Sequence, residues 1–165
     1  MRFLLALTFV QGVPLRGAIS WGELELVSDN ADIRIKTESV VGKALVDAYE
    51  TEDAQNWSGG MVTDDAIRRY SMLVAATTVQ STPGEKPSVD ELNGLGWLVP
   101  YVIPTKTGTT SGQAIGWPTL LNEKVSAGAI RGSFSDHGKS ISGAVAVKLD
   151  NTIRFVDACK MLSHP

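Results

Sequence analysis

The chain has 165 residues, of which 43% are hydrophobic and 20% charged, a balance of single-domain globular proteins that excludes a disordered or fibrous chain. A net charge of −3 and a pI near 5.3 create no whole-chain field that would recruit a polynucleotide, so nucleic acid is not an expected partner. The single cysteine, Cys159, cannot close an internal disulfide, and with His137 and His164 it offers no usual zinc-ligand spacing; a reducing, cytoplasmic setting fits.

The opening run Met1–Val10 pairs one positive charge with a short apolar stretch, and Gly17-Ala18 follows as a small-residue pair. This mimics a secretory signal, but the run is too short to span a bilayer, and Pro14 and Arg16 stand before the small residues. A buried helix serves as well, and no membrane association is expected. Gly12 and Pro14 break that helix, and 15–27 reads as a strand by partial alternation, with Leu24 and Leu26 opposite Glu23 and Glu25. Ser28-Asp29-Asn30 reads as a turn and Ile33–Lys36 as the returning strand.

The spacing predicts a helix over Ser39–Gln55, with Val41, Leu45, Ala48 and Glu52 on one face and Lys43, Asp47, Glu50 and Ala54 on another. Gly42 near its start suggests close packing or a ligand approaching the backbone. Trp57-Ser58-Gly59-Gly60 ends the helix, Met61-Val62 makes a short strand, and Asp64 or Asp65 caps a helix through Ile67, Tyr70, Leu73 and Val74. Gln80–Asn93 is polar and Pro-rich and reads as a loop. Trp97–Lys106 holds two prolines and reads as an edge strand. Ala144–Val147 is a candidate strand, and Asn151-Thr152 a cap for a last helix through Ile153, Val156, Ala158 and Leu162.

Three motifs fail on their own chemistry. Lys106-Thr107-Gly108 has the look of a penicillin-binding triad, but no Ser-x-x-Lys accompanies it. Ser135-Asp136-His137 holds the residue types of a hydrolase triad, yet neighbours in a loop cannot line up nucleophile, base and orienter. Asn93-Gly94-Leu95-Gly96 has neither a full Gly-x-Gly-x-x-Gly nor a Walker lysine.

The block Val13-Pro14-Leu15-Arg16-Gly17-Ala18-Ile19-Ser20-Trp21-Gly22-Glu23 is followed by Val41-Gly42-Lys43-Ala44-Leu45-Val46-Asp47-Ala48-Tyr49-Glu50-Thr51-Glu52-Asp53-Ala54-Gln55-Asn56-Trp57. Together they resemble the class III nucleotidyl cyclase core, closest to the pyrimidine (cytidylate or uridylate) cyclases of Pycsar anti-phage systems. Tyr101–Lys106, Ile115-Gly116-Trp117-Pro118 and Lys148–Phe155 resemble later blocks of the same proteins. The resemblance covers most of the chain and rests on the ordered series.

The resemblance implies an α+β, ferredoxin-like cyclase catalytic domain, here a single partial domain over 1–165 that lacks its first strands. It implies a head-to-tail homodimer with CTP or UTP at the interface, Mg²⁺ or Mn²⁺ as cofactor, attack of the 3′-hydroxyl on the α-phosphorus and release of pyrophosphate. A separate cyclic-nucleotide effector protein would act downstream in antiviral defence. The family's two metal-binding aspartates belong to strands upstream of the Leu15–Ser20 segment, so none is expected in this chain, and Asp29, Asp32, Asp47 and Asp53 read as turn or solvated-face residues. Many class III cyclases carry a transition-state Asn and Arg four residues apart on the helix that follows; Val46 and Glu50 stand at those positions. The implied outcome is a cyclase-family chain inactive alone, and the alternative is a catalytically dead dimerisation or nucleotide-binding module.

By physical chemistry Arg16 is the first candidate for phosphate or base contact, since a guanidinium beside Gly17 can approach a ligand with fixed geometry; the plain alternative is a strand-end pair with Glu23 or Glu38. Lys43 could meet a phosphate at the helix N-terminus, or simply pair with Asp47 at i,i+4. Tyr49 and Trp21 could stack on a base, or pack in the core.

Overall fold

The first ten residues fold as helix α1 (Arg2–Val10) because Leu5, Ala6 and Phe9 repeat at helical spacing and enter the core. Gly12 ends it at φ 73°: its N–H donates to the Phe9 carbonyl at 3.0 Å, and the Val13 N–H donates to the Thr8 carbonyl at 2.8 Å. That is a Schellman closure, which needs a left-handed residue at this position. The computed structural model describes residues 1–32, 35–78, 86–121 and 125–163, and within these the side chains of 28–38, 77–78 and 162–163 are outside the description.

The fold is mixed α and β. A four-stranded sheet has the order β1-β4-β6-β5, where β1 is Gly17–Ile19, β4 Gly60–Val62, β5 Leu98–Thr105 and β6 Gly108–Ile115. β1 runs parallel to β4, and the other neighbours are antiparallel. The parallel pair requires a long crossover, which consists of an antiparallel arm, β2 (Glu25–Asp32) with β3 (Ile35–Val41), followed by helix α2 (Lys43–Ala54). After β4 come α3 (Asp64–Thr78) and α4 (Val89–Gly94); after β6 come α5 (Ala127–Ser135) and α6 (Ala144–Ser163).

Several expectations hold. β5 lies at the edge of the sheet, where Pro100 and Pro104 cost no central ladder bond. Residues 60–62 form the short strand and 64–78 the helix, though Thr63 supplies the described side-chain cap, its Oγ1 accepting the Ala66 N–H at 3.3 Å.

Other expectations need correction. The strand read over 15–27 is two strands, β1 and β2, divided where Gly22 packs against the Ala44 backbone. Residues 28–30 continue β2 rather than turning, because the arm is longer than a minimal hairpin; Ile33 and Arg34 lie outside the described residues. Residues 39–41 finish β3, and the helix begins only after Gly42. Its inward face is also different: Ala44 is buried and Ala48 half-buried, while Leu45, Val46 and Tyr49 face solvent. Small residues are needed inside because β1 and the chain after it approach closely, the Ser20 hydroxyl donating to the Ala44 carbonyl.

The polar stretch 80–93 contains part of α4, started by a capping box in which Ser88 Oγ accepts the Glu91 N–H at 3.2 Å and Glu91 Oε2 accepts the Ser88 N–H at 2.7 Å; residues 79–85 lie outside the described residues. Residues 144–147 open α6 instead of forming a strand. Leu149, Thr152, Val156 and Cys159 are all buried at three- and four-residue steps, a helical seam that outweighs the short β-like run. Asn151 and Thr152 therefore sit inside the helix, and their polar groups bond sideways.

The core forms where α1, α5 and α6 meet the sheet. Trp57, Tyr101 and Phe155 pack as an aromatic triplet, with Trp57–Phe155 centroids 4.3 Å apart, and Phe9 stacks against Trp117 at 4.8 Å.

Candidate functional site

Polar groups from several elements meet at the end of α2. The β5–β6 hairpin reaches it through its turn: the Lys106 N–H donates to the Ala54 carbonyl at 2.9 Å, and the Asn56 N–H donates to the Pro104 carbonyl at 2.9 Å. Gln55, 1% exposed, donates from Nε2 to the Gly17 carbonyl at 3.0 Å and accepts the Trp57 indole N–H at 2.9 Å. This residue links β1 to the aromatic core, while its backbone bridges to Thr105.

Arg16 stands just ahead of β1. Its Nε pairs with Glu52 Oε1 at 2.8 Å and its terminal nitrogen donates to the Gln55 carbonyl at 2.8 Å and the Asp53 carbonyl at 3.4 Å. The described carboxylate partner is Glu52, one that sequence spacing did not suggest because α2 must fold back to present it. A guanidinium on the last carbonyls of a helix also offsets the negative end of its dipole.

Lys43 is the first residue of α2, exposed and hydrogen-bonded to Asp47, which raises its pKa. This is the i,i+4 pair anticipated as its plain role. Tyr49 is 66% and Trp21 50% exposed, so neither packs in the core; the Arg69 guanidinium lies 5.4 Å above the Trp21 ring. Arg16 and Lys43 stand at opposite ends of α2. Arg16 meets α2 at Glu52, nine residues beyond Lys43, which is about 13 Å along a helix axis.

Two cations near Arg16 went unremarked in the sequence. Lys106 Nζ pairs with Asp53 Oδ1 at 2.6 Å, and this bond holds the Asp53 carboxyl below its usual range. Lys148, half-buried on α6, has its pKa lowered by burial first and then by Arg16 and Lys106, while Glu52 and Asp53 act in the opposite direction. Lys106 was visible only as part of a rejected motif, and Lys148 only inside a block of family resemblance; topology alone brings them together. Beside them a groove of about 460 Å³ separates the end of α2 from the hairpin, lined by Glu50, Thr51 and Gln55 on one side and Thr105, Thr107 and Thr110 on the other.

The rejected motifs prove structural. Lys106-Thr107 is the two-residue turn between β5 and β6. In Ser135-Asp136-His137 the Ser135 hydroxyl donates to the Gly132 carbonyl at 3.0 Å, while His137 Nε2 lies 3.2 Å from the Gln11 carbonyl. Asn93–Gly96 forms the C-terminal closure of α4, the Trp97 N–H donating to the Leu92 carbonyl at 2.9 Å. Cys159 is buried and its thiol is pushed up to about 12 by desolvation, so it stays protonated and is no nucleophile at neutral pH.

Among the described residues no three His, Cys, Asp or Glu side chains group to hold a metal ion. Asp47 and Asp53 are each paired with a lysine. No described helix is long and apolar enough to cross a membrane. Comparison with protein-family models, curated proteins and solved structures returned no match.

Proposed function

We propose that the chain is part of a class III nucleotidyl cyclase catalytic domain of ferredoxin-like fold and of the pyrimidine kind, which forms cyclic CMP or cyclic UMP from the triphosphate in antiviral defence signalling. The observation that supports this reading is the mutual packing of the two sequence blocks that carry the resemblance. Gly42, at φ 143°, brings its backbone so close to Glu23 that an added Cβ would stand 2.2 Å from the Glu23 carbonyl oxygen. Gly22 packs on Ala44 less tightly, an added Cβ standing 3.0 Å from the Ala44 amide nitrogen, and Arg16 and Gln55 tie the far ends of the blocks together. Two segments separated by a long arm thus form one structural unit, as a shared family core requires.

In this reading Arg16, Lys43 and Tyr49 contact the nucleotide, Arg16 from one end of α2 and Lys43 and Tyr49 from its exposed side, where a second copy would complete the pocket. Mg²⁺ or Mn²⁺, which in the family activates the 3′-hydroxyl and screens the phosphates, finds no fitting ligands among the described residues, and no step is assigned to it. Residues 1–165 alone are proposed to be inactive. Purified chain incubated with Mn²⁺ and CTP or UTP should yield no cyclic monophosphate by chromatography; a time-dependent product overturns that statement.

The second reading is a module that dimerises or binds nucleotide without turnover. In-frame DNA upstream of the Met1 codon separates the two. Aspartate-bearing strand blocks there support the cyclase domain, and their absence supports the module.

A further inference from the structure

β6 lies inside the main sheet, yet part of it has a neighbouring strand on one side only. Its pairing with β4 covers Ala114 and Gln113, opposite Met61 and Val62. There β4 ends: the Thr63 N–H donates to the Ile19 carbonyl at 2.9 Å, which draws the chain toward β1, and α3 begins at Asp64. Residues 108–112 therefore pair with β5 alone.

The register identifies the groups left over. Lys106 and Thr107 make a two-residue turn, so Thr105 and Gly108 face each other as a hydrogen-bonded pair, and bonded and non-bonded pairs alternate from there. Thr109 and Ser111 fall at non-bonded positions and direct their N–H and C=O groups away from β5. Among the described residues no backbone partner meets these groups, and both residues are exposed. The same alternation puts Pro100 and Pro104 on the outer edge of β5, where a missing N–H blocks a further strand, and the Pro104 carbonyl is taken by Asn56. One edge of the hairpin is thus blunted, while the other, Gly108-Thr109-Thr110-Ser111-Gly112, carries neither proline nor charge.

The groove between the hairpin and α2 adjoins this open edge. Its lining includes Thr109 and Thr110 of β6, Met61 of β4, and Glu50 and Thr51 of α2. A segment laid along β6 in the line of β4 turns alternate side chains into this space of about 460 Å³. Glu50 is the charged member of the lining, and the flanking Arg16 and Lys106 are paired with Glu52 and Asp53. A basic side chain facing the groove complements it, and an acidic one does not.

We propose that residues 108–112 are a docking edge for an extended peptide segment of another protein, which adds a strand beside β6 and places a lysine or arginine in the groove near Glu50. The site requires neither nucleotide nor turnover. Fluorescence anisotropy of the labelled peptide Thr-Val-Lys-Val-Thr with the full chain should show saturable binding, and the Thr109 and Ser111 amides should exchange more slowly in the complex. Glutamate in place of the peptide lysine should weaken binding by about tenfold, and N-methylation of the peptide's backbone amides should abolish it. Ser111→Pro removes an edge donor without touching a β5 bond and should also cost about tenfold, whereas Ser111→Ala, which keeps the N–H, should bind like the unaltered chain. Should Ser111→Pro fail to fold by circular dichroism, the N-methylated peptide decides alone. Absence of saturable binding, or binding that survives N-methylation, overturns the proposal. A dimer that Ser111→Pro dissolves overturns it too, since the edge then belongs to a second copy.

Discussion

Gln55 and Trp57 show how a buried polar side chain is made tolerable. The Gln55 amide donates to two carbonyls, Gly17 at 3.0 Å and Thr51 at 3.1 Å, and its oxygen receives the Trp57 indole at 2.9 Å. Trp117 is as deeply buried, yet its indole N–H has no partner among the described residues. The same substitution at the two sites therefore separates packing from hydrogen bonding. Trp57→Phe strands the Gln55 oxygen, whereas Trp117→Phe removes an orphan donor, and a buried unpaired group costs about 1–3 kcal/mol. Trp57→Phe is expected to destabilise the chain by about 1–2 kcal/mol more than Trp117→Phe in urea unfolding; equal losses would contradict this account.

Elements here depend on close approach more than on intrinsic propensity. α2 starts from Gly42, whose φ of 143° belongs to the region L side chains avoid and whose missing Cβ admits the Glu23 carbonyl. Gly42→Ala must both strain the backbone and displace Glu23, a combined cost of about 2–4 kcal/mol. A lowered urea midpoint, with lost amide-exchange protection from 20–24 through the start of α2, is the expected result; an unchanged midpoint would show that the junction is slack. α1 illustrates the opposite case. Its signal-like composition is that of a core helix, with Phe9 stacked on Trp117 and its carbonyl accepting the Ser133 hydroxyl at 2.8 Å.

On the scale of the whole molecule the arm stands outside the main sheet. A two-stranded hairpin is marginal by itself in water, and this one shows Leu26 and Val40 on one face, directly opposite in register, at 70% and 45% exposure. Trp21, Leu24, Leu45 and Tyr49 add exposed apolar area on neighbouring elements, and surfaces of this kind mark association sites. The proposed homodimer places the arm in its interface. Light scattering coupled to gel filtration should give twice the 17.6 kDa chain mass, and Leu26→Glu should shift the protein toward monomer. A wild-type monomer at high concentration would remove the dimer from the proposal.

Local pattern made much of the chain legible. The edge position of β5 follows from Pro100 and Pro104, the short β4 from Met61-Val62, and α3 from its repeat of apolar residues, because each depends on interactions within a few positions. α6 was misread at its start, where Ala144–Val147 alternates like a strand, although the seam from Leu149 to Cys159 spelled a helix. The pairing of Arg16 with Glu52, the outward turn of Leu45 and Tyr49, and the convergence of Lys106 and Lys148 on the end of α2 lay beyond any local pattern. Each brings together residues from different elements, and charge neutrality or burial at such a point depends on which side chains the fold makes neighbours, a quantity that spacing along one chain does not contain.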